Sequence, residues 1–234
     1  MVHRRARSEE AKRLRREAIL RAAAQLWERS TFDELLMGDV ARGARIAKGT
    51  LYLYFPTKEA LLLELLRVRL DRCLSEMEAA LEGAPAPLDP DEAARLVATA
   101  LLADEPLVRL LMVMGTILEH NVPDERIREL KLWLGARLAV TGSVLERRLP
   151  FLAKQGGMRL LLHVQALVSG LGQLTRPAPA VERVIAAPEL VAFRLDFAEE
   201  LRVALAALLR GFSAATSTQR SRTSPVPPSS RRRS

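Results

Sequence analysis

Apolar side chains recur at intervals of three and four residues along almost the whole chain, in stretches separated by Pro, Gly and polar residues. This spacing places the apolar residues on one face of an α-helix. Leu, Ala, Arg and Glu dominate, and these residues favour helices over sheets. Runs of β-branched residues, which strands prefer, are absent. The pattern predicts an all-α protein of about nine helices.

Helix boundaries are clearest where a capping residue precedes an apolar run. Thr57 precedes a helix that we expect to reach about Glu82, and Asp89, followed by Pro90 and Glu92, marks the start of the next helix. That helix is expected to end near residue 102. The other helices are expected at about 8–30, 37–44, 47–53, 105–120, 124–148, 158–175 and 189–210, with a loop at 177–188.

The net charge of +8 is concentrated at the two ends of the chain. Residues 1–16 hold seven Lys and Arg against two Glu, and residues 212–234 hold five Arg and no acidic residue. We expect a basic arm at 1–15 and a disordered basic tail at 212–234. Either end, including Arg231 to Arg233, could neutralise DNA phosphates, and the arm could enter a minor groove; solvated disorder is the alternative.

Other features of the sequence narrow the compartment and the class of protein. A lone cysteine, Cys73, indicates a reducing environment, and no secretory signal or run of 18 apolar residues is found, so a soluble cytoplasmic protein without a membrane partner is expected. Three scattered His residues and the absence of a nucleophile signature or paired carboxylates argue against an enzyme. No catalytic residue, cofactor or metal site is expected.

The strongest local signal lies between Phe32 and Leu61, where two short helices flank a tight turn at Arg45 and Ile46. One set of residues is apolar and would lock one short helix across the other: Val40, Ala41, Ala44, Ile46 and Leu51. A second set would point outward from the later helix, toward a groove or a phosphate: Lys48, Gly49, Thr50, Tyr52 and Tyr54. This arrangement is typical of a helix-turn-helix that binds DNA.

The segment resembles the signature of the tetracycline-repressor (TetR) family. Val40-Ala41, and then IAKGTLYLYFPTKEAL from Ile46 to Leu61, are similar to the family pattern, as are the pairs Ile19-Leu20, Ala22-Ala23 and Leu26-Trp27 upstream. The resemblance covers about residues 16–66. It implies a helix-turn-helix domain at 16–56, a helical domain for effector binding and dimerisation at 57–211, and a homodimer that binds double-stranded DNA.

The resemblance also implies roles for individual residues. Lys48, Gly49 and Thr50 match positions that face bases, and Tyr52, Tyr54 and Lys58 match positions that hold the phosphate backbone. Such a division is physically reasonable, because phosphate contacts fix the register while base contacts discriminate sequence. Core packing is the alternative role for either Tyr.

Three departures from the family pattern concern the turn and the helix starts. Arg45 stands where Gly is usual, in a turn where a positive φ is common and a non-Gly residue costs about 1 kcal/mol. Ala47 stands where Ser usually caps the recognition helix, and Leu35-Leu36 stand where Thr or Ser caps the helix before it. We expect a less rigid DNA-binding domain, or a phosphate contact from Arg45 as compensation.

The rest of the chain is expected to supply a dimer interface and a ligand pocket. Small and apolar residues on the last two long helices predict a four-helix interface between two subunits: Leu167, Gly170, Leu171, Phe197, Leu201 and Leu205. Soft or polar residues among apolar ones suggest a pocket for an apolar or amphipathic effector: Met112, Met114, His120, Trp133, His163 and Gln165. Ordinary core packing is the alternative for these six.

Together these features predict a ligand-responsive repressor that binds an inverted-repeat operator, with its two recognition helices about 34–36 Å apart. The alternative is a DNA-binding architectural or protein-interaction module without a small-molecule effector.

Overall fold

The computed structural model describes the backbone of residues 2–223 and the side chains of residues 9–215. Within this range the chain is all-α, as predicted. The helices are α1 (Val2–Trp27), α2 (Met37–Gly43), α3 (Lys48–Tyr54), α4 (Lys58–Gly83), α5 (Pro90–Leu102), α6 (Glu105–Val113), α7 (Asp124–Arg148), α8 (Gly156–Thr175), α9 (Pro179–Ile185) and α10 (Phe197–Thr223). A π-helical turn (Met114–Leu118) follows α6, and a 3₁₀ helix (Pro188–Phe193) follows α9.

Helices α1 to α3 form a small N-terminal unit, called here the head. Helix α2 packs against α1 and α3, and α1 packs against the start of α4. Ile19 and Trp27 of α1, Val40 of α2 and Leu51 of α3 are almost completely buried in its core. The predicted locking residues Val40, Ala41 and Leu51 are therefore buried, while Ala44 and Ile46 are half-buried against them.

Helices α4 to α10 form the larger unit, called here the body. Helix α4 lies against α5, α6 and α7, while α8 packs on α6 and α7. Helix α10 returns to cover α5 and α8. Leucines from every one of these helices except α9 fill the shared core.

The predicted capping residues are confirmed. The Thr57 hydroxyl accepts a hydrogen bond from the Ala60 N–H at 3.1 Å at the start of α4. The Asp89 carboxylate accepts from the N–H groups of Asp91 and Glu92 at 2.8 and 2.9 Å, and Pro90 occupies the first turn of α5. These residues satisfy backbone donors that have no partner within the helix.

The start of the last helix was predicted wrongly. The sequence suggested a helix from Glu189, but α10 begins at Phe197, and Leu190 and Phe193 belong to the short 3₁₀ helix. The reason is a cap at Asp196, whose carboxylate accepts from the Glu199 N–H at 2.8 Å. Arg194 also donates to the carbonyls of Ile185 and Ala187, which holds the preceding chain in a tight bend.

Both terminal helices extend beyond their predicted limits. Helix α1 begins at Val2, so the chain expected to form an arm at 1–15 continues directly into the helix. Arg13 pairs with Glu10 and Glu17 along this helix, and Lys12 pairs with Glu9. Helix α10 continues past Gly211 to Thr223, into the predicted tail. The arginines at 231–233 lie outside the described residues.

Helices α7 and α8 cross at two glycines. A Cβ atom on Gly157 would lie 2.1 Å from the carbonyl oxygen of Gly142, and one on Gly142 would lie 2.7 Å from the backbone nitrogen of Met158. Since both neighbours are backbone atoms, neither can move aside as a flexible side chain would. The close approach of α7 and α8 therefore requires glycine, which has no side chain, at both positions.

Cys73 is buried in the body on α4, where its thiol donates to the carbonyl of Ala100 at 3.4 Å. Burial, with the nearby carboxylates of Asp104 and Glu76, raises the pKa of this thiol to about 12. None of the helices in the described part of the chain has the length and apolar character needed to traverse a lipid bilayer.

The Gly157→Ala variant should be destabilised by roughly 3 kcal/mol, because its methyl group would overlap the Gly142 backbone. The matched variant is Gly135→Ala on α7, where an added Cβ meets nothing within 4 Å. That change should leave stability equal or raise it by about 0.5–1 kcal/mol, since Ala is the better helix former. Urea unfolding followed by circular dichroism measures both, and equal midpoints for the two variants would contradict the close crossing.

Candidate DNA-binding surface and the cavity behind it

Helix α3 is held in the head by one side and exposes the other. Leu51 is completely buried, and Phe55 directly after the helix is buried as well. Lys48 and Gly49 are exposed, Thr50 is half-buried, and Tyr52 is 41% exposed. The first turn contains no acidic residue. An anionic partner could therefore approach the exposed side of α3 without repulsion from an acidic side chain in the first turn of this helix.

The turn before α3 has the conformation expected from the sequence. Arg45 is exposed and adopts a left-handed backbone with φ 56°, a region that disfavours residues with a Cβ atom. The backbone is fixed by the Arg45 N–H, which donates to Arg42 at 3.1 Å, and by the Ile46 N–H, which donates to Ala41 at 3.0 Å. Leu36 and Ala47 are the N-cap residues of α2 and α3, and neither supplies a capping side chain.

Tyr54 and Lys58 lie differently from the outward residues of α3. Tyr54 is half-buried and lines a cavity behind the helix. The Lys58 ammonium donates to the carbonyl of Phe32 and lies 4.0 Å from the centre of the Phe32 ring. Lys58 therefore fixes the loop between α1 and α2.

Two exposed residues near α3 were not among the predicted contacts. Leu53 is 85% exposed although it is apolar, and Arg42 on α2 is largely exposed beside its ion-pair partner Asp39, at 3.0 Å. The helical spacing contains a signal for Leu53, because it lies two residues after the buried Leu51 and so points away from the core.

A cavity of about 310 Å³, called here the junction cavity, lies where the head meets the body. Its walls include three aromatic residues, Tyr54, Phe55 and Trp133, and three arginines, Arg16, Arg67 and Arg126. These residues come from α1, from the end of α3, and from α4 and α7. Because these residues are distant from one another in the sequence, no local sequence pattern could have indicated the cavity.

Glu64 of α4 organises the arginines in this cavity. Its carboxylate lies 3.1 Å from Arg16 and 2.6 Å from Arg67. The Arg16 guanidinium also stacks 4.8 Å from the Phe55 ring centre, and the Arg67 guanidinium lies 5.5 Å from that of Trp133. The result is a layered cluster in which two cations share one carboxylate between two aromatic rings.

Burial pushes the pKa of Glu64 upward, but the hydrogen bonds and charges of Arg67 and Arg16 outweigh this, so that its pKa lies below the ordinary value. A carboxylate with a lowered pKa stabilises the fold at neutral pH, and this contribution is lost as the pH falls through the folded-state pKa. The cluster is therefore fully charged at neutral pH.

Away from the residues that line this cavity, the head is joined directly to α6 by hydrogen bonds. The Trp27 indole donates to the carbonyl of Pro106 at 2.9 Å, and Arg109 donates to the carbonyls of Ser30 and Trp27. Arg69 of α4 bridges Asp104 at 2.7 Å and Glu28 at 3.5 Å. The head is thus hydrogen-bonded directly to α6, whereas the junction cavity separates it from α7.

The structure does not bring the six predicted pocket residues together. Only Trp133 lines the junction cavity. Met112 packs against Gly172, where an added Cβ would lie 2.5 Å from the Met112 side chain, and Gln165 donates to the Leu111 carbonyl at 3.0 Å. The remaining three lie at separate places: His120 is exposed, Met114 begins the π-helical turn, and His163 stacks on Phe212 with ring centres 5.9 Å apart.

The predicted dimer residues also separate into two groups. Leu201 and Leu205 are 0% exposed, because this face of α10 packs on α5 and α8 of the same chain. They offer no surface to a second subunit. Gly170 is exposed, and Leu167, Leu171 and Phe197 are half-buried.

Both the head and the body match known protein families. Residues 19–65 match the family described as bacterial regulatory proteins, tetR family, and residues 68–216 match the tetracyclin repressor-like C-terminal domain. The two matches meet within α4 and together span the head and most of the body.

Individual relatives match mainly in the N-terminal part. The HTH-type transcriptional regulator EthR of Mycolicibacterium smegmatis is 43% identical over 81 residues, which are 35% of this chain and 36% of that protein. EthR of Mycobacterium tuberculosis H37Rv is 42% identical over 65 residues, 28% of each chain. The chain thus spans about a third or less of the curated relatives that it matches.

Among solved structures, a transcriptional regulator from Rhodococcus sp. Rha1 superposes with a TM-score of 0.51 at 20% identity. The superposition covers 84% of this chain and 96% of that one. At this level of identity the match shows a shared fold.

Arg45→Gly should stabilise the fold by about 1 kcal/mol, since Gly adopts a positive φ without steric conflict. If Arg45 also holds a phosphate, the same variant should bind DNA more weakly. Gln155→Gly is the matched control, because Gln155 has a similar φ of 66° at the start of α8. It should gain comparable stability and leave DNA binding unchanged. Thermal unfolding and mobility shift assays measure both effects, and a tighter-binding Arg45→Gly protein would contradict the phosphate contact.

Proposed function

The chain belongs to the tetracycline-repressor family of DNA-binding transcription regulators, and we propose that it is a ligand-responsive repressor that binds an inverted-repeat operator as a homodimer. The observation that supports DNA reading by this chain most directly is the exposed side of α3, which is anchored from behind by Leu51. A short helix fixed in this way can enter a major groove without being pushed back into the head.

The exposed side chains of α3 suit the two kinds of contact that DNA recognition needs. Lys48 and Thr50, at the start of the helix, supply donors for base edges, and the open backbone at Gly49 permits close approach. Tyr52 supplies a hydroxyl for a phosphate, and exposed Arg45 adds a charge nearby. Leu53 suits an apolar contact with a thymine methyl group, which would explain an apolar side chain in so exposed a position.

A second copy of the chain suits the exposed sides of α8 and α10. On α8 these residues form one stripe at intervals of four: Leu162, Ala166, Gly170 and Leu174. On α10 a comparable stripe holds Val203, Ala207 and Gly211. The space beside Gly170 and Gly211 is open, so another helix could approach closely. Two helices from each subunit would then form a four-helix interface, with Leu167, Leu171 and Phe197 at its border.

Ligand response requires that an effector favour a conformation in which the two heads no longer match the operator. The ligand then releases DNA by as much as its affinities for the two conformations differ. The junction cavity supports this proposal, because it leaves room for the head to change its tilt relative to the body.

Lys48→Ala should weaken operator binding by about 1–3 kcal/mol and relax the preference at one base position, because a base contact is lost. The matched control is Lys154→Ala, which removes an exposed lysine between α7 and α8, remote from α3. Footprinting and mobility shifts on the DNA flanking the gene, against random competitor, measure both. Equal losses in the two variants would contradict the role of α3, and no sequence preference in the parent protein would refute the proposed function.

Gly170→Glu should convert the dimer to monomers at low micromolar concentration, because it places a charge at the centre of the apolar interface. Gly135→Glu adds the same side chain on α7, and an added Cβ meets nothing within 4 Å at either position. Sedimentation velocity distinguishes them: the first variant should be monomeric and the second dimeric. A parent protein that is already monomeric, or dissociation only by Gly135→Glu, would contradict this interface.

A further inference from the structure

We propose that the junction cavity binds a flat aromatic carboxylate, and that this ligand releases DNA by wedging the head away from α7. This inference rests on the proposed function, since it names the effector class and the place where the effector acts. The site is distinct from the six pocket residues expected from the sequence, of which it includes only Trp133.

The size and walls of the cavity fit a small aromatic molecule. Its volume of about 310 Å³ lies at the lower end of the range for small-molecule pockets. The rings of Tyr54, Phe55 and Trp133 come from two sides of the junction, and Leu63 and Leu130 add aliphatic surface. Flat rings stack on such side chains in offset or edge-to-face arrangements.

The charges in the cavity favour an anion. Two guanidinium groups share the single carboxylate of Glu64, so positive charge is in excess at the centre of the cluster. Arg67 uses Nε and one Nη for Glu64, which leaves its other Nη available as a donor. At the rim, the exposed Arg126 is paired at 2.8 Å with Glu129, which also lines the cavity, so that three arginines face two carboxylates in all. A carboxylate is the acceptor that guanidinium groups bind best in a planar arrangement.

The position of the cavity couples it to the DNA-binding surface. Tyr54 is the last residue of α3 and Phe55 follows it, so a ligand in contact with these rings touches the recognition helix itself. The opposite wall, at Trp133 and Leu130, belongs to α7 of the body. Because hydrogen bonds of Trp27 and Arg109 hold the head to α6, a ligand that pushed the head away from α7 would rotate it about these bonds.

The test uses 2-naphthoate as the probe and 2-naphthalenemethanol as its uncharged counterpart. Operator binding by the ligand-free full chain is measured first, so that failure of DNA binding is separated from failure of the ligand site. Calorimetry should then show binding of 2-naphthoate and at least about tenfold weaker binding of the alcohol, because the ion pair with arginine is lost. Mobility shifts should show operator release by the carboxylate.

Variants locate the site. Arg67→Gln and Trp133→Leu should each weaken 2-naphthoate binding about tenfold, by removing a charged donor or a stacking ring. Arg95→Gln is the matched control, because Arg95 is an exposed arginine on α5 with a similar carboxylate partner, Glu92, at 2.6 Å. It should change neither ligand affinity nor operator binding.

Three outcomes would overturn the inference while leaving DNA recognition intact. They are an operator-binding protein that takes up no 2-naphthoate, binding that is unchanged in both cavity variants, and binding that releases no DNA. A chain that shows no operator preference without ligand would instead refute the proposed function.

Discussion

Burial of the leucines on α4 is the interaction on which the whole arrangement depends. Near its start, Leu61, Leu62, Leu65 and Leu66 are buried, on a helix that packs against α1 of the head as well as against helices of the body. Farther along, Leu74 and Leu81 are buried among α5 and α7. One continuous helix therefore supports both units, and a change in its direction must alter how the head sits on the body.

The head contacts the body through different kinds of interaction near α6 and near α7. On the α6 side, the Trp27 indole of the head donates to the Pro106 carbonyl, and Arg109 of α6 donates to the Ser30 and Trp27 carbonyls of the head. On the α7 side, the charged cluster at Glu64 takes the place of close apolar packing. Ion pairs that are only partly buried contribute little net stability, because desolvation offsets their attraction. The α7 side is thus the weaker half of the junction and the one that a small molecule could alter.

The local features of the fold could be predicted from the sequence to a large extent. Capping residues such as Thr57 and Asp89 act within one helical turn, so their effect can be predicted from the neighbouring residues alone. The strained turn at Arg45 and the uncapped starts of α2 and α3 were predicted for the same reason. The start of α10 had an equally local signal, Asp196 followed by Glu199, which the apolar stripe through Phe193 obscured.

Features that depend on tertiary contacts could not be predicted. The junction cavity combines Arg16 with Trp133, residues more than a hundred positions apart, and nothing in either local segment indicates the other. The Leu201 and Leu205 pattern shows that this face of α10 is covered, but periodicity does not distinguish cover by the same chain from cover by a second copy. The crossing of α7 and α8 at Gly142 and Gly157 could not be predicted for a similar reason. A glycine within a helix suggests that another helix approaches closely, but it does not identify that helix.

The buried thiol on α4 has a practical consequence for testing whether the head changes its position. Cys73 is the one cysteine of the chain, and with its pKa raised to about 12 it forms almost no thiolate at neutral pH. Maleimide and methanethiosulfonate reagents will therefore react very slowly with this buried thiol. A cysteine introduced on the outer surface of the head will then be the one site at which a label is attached. In the proposed homodimer, spin labels or fluorophores attached to this cysteine can then report the distance between the two recognition helices, with the native thiol left in place.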